Sequence, residues 1–524
     1  MNGDGVNDMS EKNKCEVLMW GYFPGVTAQR SPLTSPAIVR FPEAEVAGDS
    51  WKDVCAGGCG FGMAISASGK LITWGSADDQ GQSYLTSGKH GEIPEVYPLP
   101  TTDLIVKAAA GWAHCVSVTD KNEVYSWGWK ECVPSVQVTR SWSSSVKNSE
   151  EETSTKQSST ISEQGSISGP NDKISADETM KRRKVTPQQE IETSAPADET
   201  LSMPPCLVNF DSGVKITSVA AGGRHTLALS DVGQVWGWGY SGEGQLGLGS
   251  RIKTVASPHL IPCIEPSSNG RDSSVINQES LAAGTEQRKS IGNYIKGIAC
   301  GGRHSAVITD AGVVLTFGWG QYGQCGQGNS DDLLRPSCVS SLLGTRIETV
   351  AAGLWHTICI CAEGRVRAFG GNQFGQLGLG TNSDQCENVP RLLDASVLET
   401  KKAKMASCGA RHSAILTEDD KIFCWGWNKY GQLGLGDTID RNMPAQVPLK
   451  DYTPKNIACG WWHTLLLYIQ GRFLASEIQL FRPDCGFSAG TTPPPSAAKR
   501  DASAVVRSPG QHYVTNSCRA RAVK

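Results

Sequence analysis

Six of the nine histidines stand at the same place in a repeated pattern, and so many regularly spaced imidazoles could suggest a metal site. Each has glycine three residues before it and serine, threonine or cysteine directly after it. A histidine that recurs once per repeat beside a tight glycine turn is better suited to hydrogen-bonding a neighbouring backbone carbonyl in the interior. We therefore predict a structural role, and no metal site, for His114, His225, His304, His356, His412 and His463.

The 18 cysteines invite a zinc or disulfide interpretation, which their positions do not favour. Cys300, Cys408 and Cys459 precede the glycine of the repeat, where other copies carry alanine or glycine, so this is a position for packing small residues. The sequence has no Cys-x-x-Cys pair of the kind that zinc sites use. The N-terminus lacks the apolar core of a secretory signal, so reduced thiols in an intracellular compartment are expected.

A glycine-rich loop resembles a phosphate-binding motif, because Gly242, Gly244 and Gly247 satisfy G-x-G-x-x-G. A dinucleotide site uses that motif once, after a strand and opening a helix, so that the phosphates meet the helix N-terminus. Here a related loop recurs in four copies, and no helical periodicity follows it. We interpret its glycines as turn residues with positive φ and predict no cofactor.

The repeat that positions these residues is clearest over residues 404–436, KMASCGARHSAILTEDDKIFCWGWNKYGQLGLG. Two short strands are joined by an acidic turn, and the glycine-rich loop follows. An aromatic–glycine pair comes 13 residues after the histidine and the loop begins after 19, with Phe61 replacing histidine in the first copy. Seven copies predict an all-β fold, a seven-bladed β-propeller. The aromatic positions, which we predict to be blade core, are Trp20, Trp74, Trp127, Trp238, Phe317, Phe369 and Trp425.

The two ends of the repeat array complement each other. Trp20-Gly21 has no histidine half before it, and His463 has no aromatic–glycine half after it. This predicts a ring whose last blade is completed by the N-terminal strand, which leaves few exposed sheet edges. The predicted organisation is a disordered N-terminus at 1–16, a propeller over 17–468 with disordered insertions at 141–203 and about 266–290, and a mostly disordered tail at 469–524.

Charge and hydropathy argue against two classes of protein. The net charge of −3 does not fit a protein that coats nucleic acid, so direct contact with nucleic acid is expected only at local basic patches. No apolar run reaches the length of a membrane span. One basic patch, in MKRRKVTP, lies in the first insertion beside Thr186-Pro187, a candidate phosphorylation site. It is either a solvated charge run or a nuclear import signal. We predict the latter, and a location in the nucleus with the cytoplasm as a second location, from Lys181, Arg182, Arg183 and Lys184.

The residue directly before the histidine varies between copies, so it can serve function rather than architecture. Three copies carry arginine and two carry tryptophan, residue types that often anchor protein interfaces. Because equivalent positions fall at matching heights on successive blades, we predict a partner-binding face at one end of the shaft. The alternative is that the arginines only form salt bridges between blades or stack on the tryptophans. The five residues are Arg224, Arg303, Trp355, Arg411 and Trp462.

The stretch AAGGRHTLALSDVGQVWGWGYSGEGQLGLG, which begins at Ala220, and its sister copies resemble the repeats of the regulator of chromosome condensation family. The resemblance covers residues 17–468 outside the two insertions, and it implies a seven-bladed propeller. Members of that family include a nuclear guanine-nucleotide exchange factor for the small GTPase Ran, a plant UV-B photoreceptor, and binding platforms on chromatin or signalling partners.

Two features separate this chain from those members. No counterpart of the exchange factor's nucleotide-displacing wedge is recognised after Trp129, where KECVPSVQVTR leads into the first insertion. The photoreceptor's consecutive GWRHT motifs supply clustered tryptophans, whereas that slot holds tryptophan here only at Trp112 and Trp461. The photoreceptor-like branch is still the closer resemblance, because of the Gly-x-x-His-Thr style of its repeats.

These observations favour a binding protein. No nucleophile–base pair, carboxylate pair or metal motif stands outside the repeat, so an enzyme is not predicted. The leading hypothesis is a non-catalytic nuclear scaffold that binds a protein partner, associated with chromatin or histones or acting in signalling. The alternatives are a guanine-nucleotide exchange factor for a Ran-like small GTPase and, with less support, a UV-B sensor.

Overall fold

Seven four-stranded antiparallel sheets form the described part of the chain, seen here in a computed structural model. That part comprises residues 14–23, 32–42, 48–55, 57–75, 93–134, 202–263, 292, 294–380, 386–449 and 452–470, all within the unit Met1–Gly471. Each sheet is one blade, so the predicted seven-bladed β-propeller is confirmed. The helical segments in these ranges are two short 3-10 turns, Ser340–Leu342 and Ser396–Leu398. No helix of the described residues has the length and apolar character needed to cross a membrane.

The blades follow one another around the ring, and the first strands of the second to seventh blades line the central shaft together with Gly57 of the first blade. The first blade contains β3 (Trp51–Cys55), β4 (Gly62–Ser66), β5 (Leu71–Trp74) and β6 (Glu95–Val96). The second contains β7 (Ile105–Ala110), β8 (His114–Thr119), β9 (Val124–Trp129) and β10 (Ser202–Val208). The third contains β11 (Ile216–Ala221), β12 (His225–Ser230), β13 (Val235–Ser241) and β14 (Ile252–Ile261). The fourth contains β15 (Ile295–Cys300), β16 (His304–Thr309), β17 (Val314–Gly318) and β18 (Leu333–Cys338).

The remaining three blades repeat this order. The fifth contains β19 (Ile347–Ala352), β20 (His356–Cys361), β21 (Val366–Gly370) and β22 (Glu387–Leu392). The sixth contains β23 (Ala403–Cys408), β24 (His412–Thr417), β25 (Ile422–Gly426) and β26 (Arg441–Gln446). The seventh contains β27 (Tyr452–Cys459), β28 (His463–Gln470), β1 (Cys15–Gly21) and β2 (Leu33–Val39).

The seventh blade joins the two ends of the propeller. Its strand order is β2-β1-β28-β27, so the N-terminal strand pairs with the last strand. The pairing runs without a register shift from Cys15 opposite Ile469 to Gly21 opposite His463. The predicted completion of the last blade by the N-terminal strand is therefore confirmed.

The strand bounds shift the predicted limits slightly. β1 begins at Cys15 and β28 ends at Gln470, two residues outside the predicted range 17–468 at each end. β10 begins at Ser202, so the predicted insertion 141–203 extends two residues too far. The rest of that insertion, the region of about 266–290 and the segments outside 14–470 lie outside the described residues.

Each repeat histidine is fully buried, and five of the six form a hydrogen bond with the next blade. His304 Nε2 lies 2.8 Å from Thr357 Oγ1, for example. The partner is the hydroxyl that directly follows the next histidine, so the predicted bond to a backbone carbonyl is wrong. The five bonds are His114–Thr226, His225–Ser305, His304–Thr357, His356–Ser413 and His412–Thr464.

In four of the five bonds, the hydroxyl group fixes the direction because it donates to a loop carbonyl; the exception is His114–Thr226. Thr357 Oγ1 donates to the Gln324 carbonyl at 2.9 Å, and Ser413 Oγ donates to the Gln376 carbonyl at 2.8 Å. Because the single hydrogen of each hydroxyl is used in this way, the histidine Nε2–H must donate to the hydroxyl oxygen. Burial lowers the pKa of His304 to about 3, which keeps its ring neutral. The expected carbonyl is thus reached through an intervening hydroxyl.

The glycine three residues before each histidine permits this close contact between blades. A Cβ atom on Gly353 would lie 2.7 Å from the Gly409 carbonyl oxygen of the next blade and 2.1 Å from His356 Cε1. Side-chain carbons do not approach other atoms so closely, so glycine is required here for space.

The glycine-rich loops hold the outer parts of neighbouring blades together. Gly244 and Gly247 have φ angles of 88° and 63°, so the predicted positive φ is confirmed for them, but it is wrong for Gly242, which is not among the glycines with positive φ. The Gly436 N–H donates to the Thr34 carbonyl of the next blade at 2.8 Å. Each such loop is followed by an extended strand and therefore lacks the helix of a dinucleotide site.

The seven aromatic residues of the aromatic–glycine pairs are fully buried, which confirms their predicted place in the blade core. Two of them also bond to the loop of the preceding blade. Trp20 Nε1 donates to the Gln432 carbonyl and Trp425 Nε1 donates to the Gln376 carbonyl, both at 2.9 Å. The Gln376 carbonyl therefore accepts two hydrogen bonds from the next blade, one from the Trp425 indole and one from the Ser413 hydroxyl.

The outer strand of each blade is a sheet edge, and its sequence disfavours pairing with a strand of another molecule. All of these strands except the two-residue β6 contain proline, which has no N–H to offer to another strand. The prolines are Pro36, Pro204, Pro205, Pro258, Pro336, Pro390 and Pro444.

The series of histidine bonds is open at the first blade. Phe61 takes the histidine position there and Gly62 takes the hydroxyl position. Neither ring nitrogen of His463, in the seventh blade, has a hydrogen-bond partner among the described residues. A Cβ on Gly62 would lie 2.6 Å from the indole of Trp74, so a hydroxyl side chain does not fit. Phe23 packs against His463 with ring centroids 4.6 Å apart, and packing replaces the hydrogen bond at this junction.

His304→Phe and His463→Phe form a matched pair of substitutions, since Phe61 shows that a phenyl ring fits this slot. H304F leaves the Thr357 hydroxyl without its donor, so we expect the free energy of unfolding to fall by about 1–3 kcal/mol. H463F removes a ring with no such bond and should change it by less than about 1 kcal/mol. Urea denaturation followed by circular dichroism measures both, and equal losses would contradict the role of the bond.

The buried histidines also predict sensitivity to acid. Burial lowers the pKa from 6.5 to about 4 for His114 and about 3 for His225, His304, His356, His412 and His463. Below pH 6.5 the unfolded chain binds protons that the folded chain does not bind. The contribution of the neutral histidines to the free energy of unfolding is therefore fully present above about pH 6.5. It falls as the pH approaches the lowered pKa values, by up to about 1.4 kcal/mol per pH unit for each histidine. Urea midpoints between pH 7.5 and 5 should fall steeply in the wild type and less steeply in H463F.

Candidate functional site

The central shaft contains a cavity of about 230 Å³ whose wall consists largely of small residues. Cys300, Cys408 and Cys459 line it, as the small-residue interpretation predicts. Burial raises the pKa of Cys459 to about 12, so its thiol stays protonated at neutral pH and is a poor nucleophile. Among the described residues, no group of three or more His, Cys, Asp and Glu side chains could hold a metal ion.

The five residues of the predicted partner-binding face lie at one end of the blades, each directly before the start of its blade's second strand. Arg303 is exposed, and the other four are half-buried. The structure does not bring all five into mutual contact. Instead, each meets a residue from the preceding blade that the sequence analysis did not single out.

That contact follows one rule. The residue 18 positions after a blade's histidine reaches the residue directly before the next blade's histidine. The position after the aromatic–glycine pair, 15 residues from the histidine, adds Trp129, Trp319 and Trp427 to the same face. Both offsets are constant in the sequence, so the signal was available. Four pairs follow this rule, Glu243–Arg303, Tyr322–Trp355, Phe374–Arg411 and Tyr430–Trp462, whereas Arg224 contacts Trp129.

A run of aromatic side chains covers the face from the fourth to the seventh blade. Neighbouring rings have centroids 4.7 to 5.8 Å apart, in stacked, tilted and edge-on arrangements that are favourable for aromatic pairs. Arg411 bridges the step from Trp355 to Phe374. We call this surface the aromatic arc; it consists of Trp319, Tyr322, Trp355, Phe374, Trp427, Tyr430, Trp462 and Tyr22.

Arg411 lies among three rings of the arc. Its guanidinium carbon is 4.7 Å from the ring centroid of Phe374, 5.3 Å from that of Trp427 and 5.6 Å from that of Trp355. Burial lowers the pKa of Arg411 from its usual value, but an arginine remains protonated. No described residue forms a hydrogen bond or an ion pair with this side chain. Its charge is therefore offset only by ring faces within the described residues.

The other two arginines differ in their pairing. Arg303 lies 5.2 Å from the Trp319 ring and 3.5 Å from a carboxylate oxygen of Glu243, on the preceding blade. The alternative of an inter-blade salt bridge therefore describes Arg303. Arg224 lies 4.4 Å from the ring centroid of Trp129 and has no ion pair among the described residues.

The sequence-predicted import signal, Lys181 to Lys184, and Thr186 lie outside the described residues.

The family model of the RCC1-like domain matches residues 169–475, which is more than half of the chain. The chain belongs to this family. A model of the regulator of chromosome condensation (RCC1) repeat also matches residues 105–132. The resemblance inferred from the repeats is therefore confirmed.

Several relatives share the RCC1-like region. The ultraviolet-B receptor UVR8 of Arabidopsis thaliana is 33% identical over 246 residues, which cover 47% of this chain and 49% of the receptor. The protein RCC2 homolog of Danio rerio is 29% identical over 48% of this chain and 50% of its own length. Human E3 ubiquitin-protein ligase HERC2 is 34% identical over 48% of this chain but 5% of its own length. The chain thus spans about half, or far less, of these relatives.

Solved structures share the propeller fold at low sequence identity. Yeast RCC1 (Prp20) in its complex with Kap60 has a TM-score of 0.61 at 17% identity, covering 90% of this chain and 94% of Prp20. Human WBSCR16 has a TM-score of 0.60 at 19% identity, covering 88% of this chain and all of that chain. At such identities the likeness shows the fold alone.

The tryptophan slot of this RCC1-like propeller holds one aromatic pair. Trp112 of the second blade and Trp461 of the seventh blade have ring centroids 6.4 Å apart, on either side of the first blade, where Cys59 occupies the slot. The slot residues of the third to sixth blades are Gly223, Gly302, Leu354 and Ala410.

Proposed function

We propose that this RCC1-like propeller is a non-catalytic scaffold that binds a protein partner through the aromatic arc and its arginines. The observation that carries the proposal is Arg411, a half-buried cation that is enclosed by aromatic rings and lacks a counter-ion among the described residues. Arginine, tryptophan and tyrosine are the side chains that most often supply binding energy at protein interfaces. A purely structural role for the arginines, by stacking or by a salt bridge as between Arg303 and Glu243, accounts for the rings around Arg411 but leaves its charge without a counter-ion among the described residues.

The relatives support a protein partner as the class of ligand. The solved structure of Prp20 from Saccharomyces cerevisiae is described together with its binding to Gsp1p and histones, and another holds Prp20 bound to Kap60. Because Prp20 shares 16–17% identity with this chain, these partners do not transfer directly. We propose a nuclear partner, associated with chromatin or histones or acting in signalling.

The alternative is guanine-nucleotide exchange on a Ran-like small GTPase, which the fold shared with Prp20 supports only at the level of architecture. Faster release of guanine nucleotide from such a GTPase on addition of purified protein would favour exchange over a scaffold. A UV-B sensor has less support, because the tryptophan slot retains Trp112 and Trp461 alone.

Trp355→Ala combined with Trp462→Ala tests the scaffold proposal. Both side chains are half-buried on the arc, and loss of an interface anchor weakens binding by at least about tenfold. Affinity purification from nuclear extract with quantitative mass spectrometry should therefore recover far less of the wild-type partners. Lys121→Ala with Asp419→Ala is the matched control, because these exposed residues lie in hairpins at the opposite end of the blades. Retained partners in the arc variant would contradict the proposal.

We further propose that Lys181, Arg182, Arg183 and Lys184 direct nuclear import. Replacing all four with alanine removes the charge cluster that an import receptor reads, so a fluorescent fusion should shift from the nucleus to the cytoplasm. Alanine at Arg500, Arg519, Arg521 and Lys524 removes the same number of basic residues and should leave the distribution unchanged. An unchanged distribution of the first variant would reject the import signal.

A further inference from the structure

Three polar groups, one from the fourth blade and two from the sixth, meet around the rings of the aromatic arc. The Arg411 side chain, the Tyr322 hydroxyl and the Tyr430 hydroxyl have no hydrogen bond from any described residue. Both tyrosines pack on rings that Arg411 also contacts: the ring centroids of Tyr322 and Trp355 are 4.9 Å apart, and those of Tyr430 and Trp427 are 5.3 Å apart. We call this group the Arg411 pocket; it consists of Arg411, Tyr322, Tyr430, Trp355, Phe374 and Trp427.

The rings around Arg411 shape what the pocket can accept. Phe374, Trp427 and Trp355 lie within 5.6 Å of its guanidinium carbon. A guanidinium that stacks on aromatic rings still presents the N–H groups along its edge, in the planar fork that matches a carboxylate. The pocket therefore offers charged N–H donors and phenol O–H donors, and no acceptor of matching charge.

The chain itself contains an arginine at the equivalent repeat position that already has a carboxylate beside it; we call this the filled version of the arrangement. Arg303 stands at the same repeat position as Arg411, and the residue 18 positions after the preceding histidine is Glu243, whose carboxylate lies 3.5 Å from it. At Arg411 the corresponding residue is Phe374, which supplies a ring and no charge. The comparison shows which chemical group is missing beside Arg411.

We propose that the Arg411 pocket binds the carboxylate of an aspartate or glutamate side chain in an acidic segment of a partner protein. The carboxylate accepts hydrogen bonds from the Arg411 guanidinium and from the Tyr322 and Tyr430 hydroxyls, as Glu243 pairs with Arg303. Neighbouring side chains of the segment pack on Trp427 and Trp355. A single guanidinium balances the single charge of a carboxylate, which favours this ligand over a doubly charged phosphate. The inference rests on the proposed function, because it names the partner chemistry of the same face.

An array of nonapeptides with a fixed central residue and mixed flanking residues tests the ligand class. The central residue is Asp, Glu, Asn, Gln or phosphoserine, and the full chain is the probe. We expect the acidic peptides to bind at least tenfold more tightly than their amide counterparts, because an amide carries no charge to balance Arg411. Equal binding of acids and amides, or preferred binding of phosphoserine, would overturn the proposal.

Four single variants locate the binding site, with affinities measured by fluorescence anisotropy of the best acidic peptide. Arg411→Gln removes the cation and should weaken binding at least tenfold, whereas Arg303→Gln removes an arginine that is already paired and should change it less than threefold. Phe374→Glu places a carboxylate where Glu243 stands in the filled version, so it should compete with the peptide and weaken binding at least tenfold. Phe374→Gln, its neutral counterpart, should bind at least threefold more tightly than F374E.

The stability of the free protein gives an independent readout. F374E supplies the missing counter-ion within the chain, so its urea midpoint should be at least as high as that of F374Q. A lower midpoint in F374E, or equal loss of peptide in R411Q and R303Q, would refute the pocket. Light scattering must also show the wild type and R411Q at the same mass, since a dimer lost in R411Q would identify a second copy of the chain as the occupant.

The results separate this inference from the proposed function. If no peptide binds while W355A/W462A still loses its partners, the carboxylate-binding proposal for the Arg411 pocket is rejected and the scaffold proposal is retained. If acidic peptides bind through Arg411 while W355A/W462A keeps its partners, the carboxylate-binding proposal is retained and the proposal that the aromatic arc binds the partner is rejected.

Discussion

The fold depends most on the hydrogen bond from a buried, neutral histidine to a hydroxyl on the next blade. The bond requires glycine three residues earlier, because a Cβ there would collide with the next blade's backbone, as at Gly353. Burial lowers the histidine pKa and keeps the ring neutral, so the bond is made without a buried charge. The hydroxyl then donates to a loop carbonyl such as that of Gln376, so strand, loop and neighbouring blade are joined by one polar chain. Buried polar groups that are satisfied in this way specify which blades pack together.

The first blade shows what the ring can do without. Phe61 and Gly62 replace the histidine and the hydroxyl, and His463 is left without a partner among the described residues. The junction is nevertheless closed, because β1 and β28 belong to one sheet and tie the N-terminal segment to the end of the array. Trp74, whose indole occupies the space beside Gly62, and Phe23 fill the junction with apolar contacts. Apolar packing has no directional requirement, so one blade can use it while the others keep the histidine bond.

Spacing alone predicted the number of blades, the closure by the N-terminal strand and the burial of the repeat residues, because a repeating unit can bury its apolar face only against its neighbours. It did not predict that His304 bonds to Thr357, since sequence gives no preference between a hydroxyl and the many carbonyls nearby. It also could not separate Arg303 from Arg411. Their difference depends on Glu243 and Phe374, which lie on the preceding blades and approach the arginines only once the ring is folded.

The same inter-blade geometry explains why one face can carry function without loss of stability. At four junctions the residue 18 positions after a histidine contacts the residue before the next histidine, through a charge pair, through aromatic rings or through a cation on a ring. Arg303 already has the Glu243 carboxylate 3.5 Å away, so part of its charge is offset before a ligand arrives. Arg411 is held in place by rings, which orient the guanidinium and remove part of its water without neutralising it. A partner carboxylate that reaches it therefore meets a cation that is already positioned and partly desolvated, and that is the condition under which an ion pair across an interface contributes to affinity.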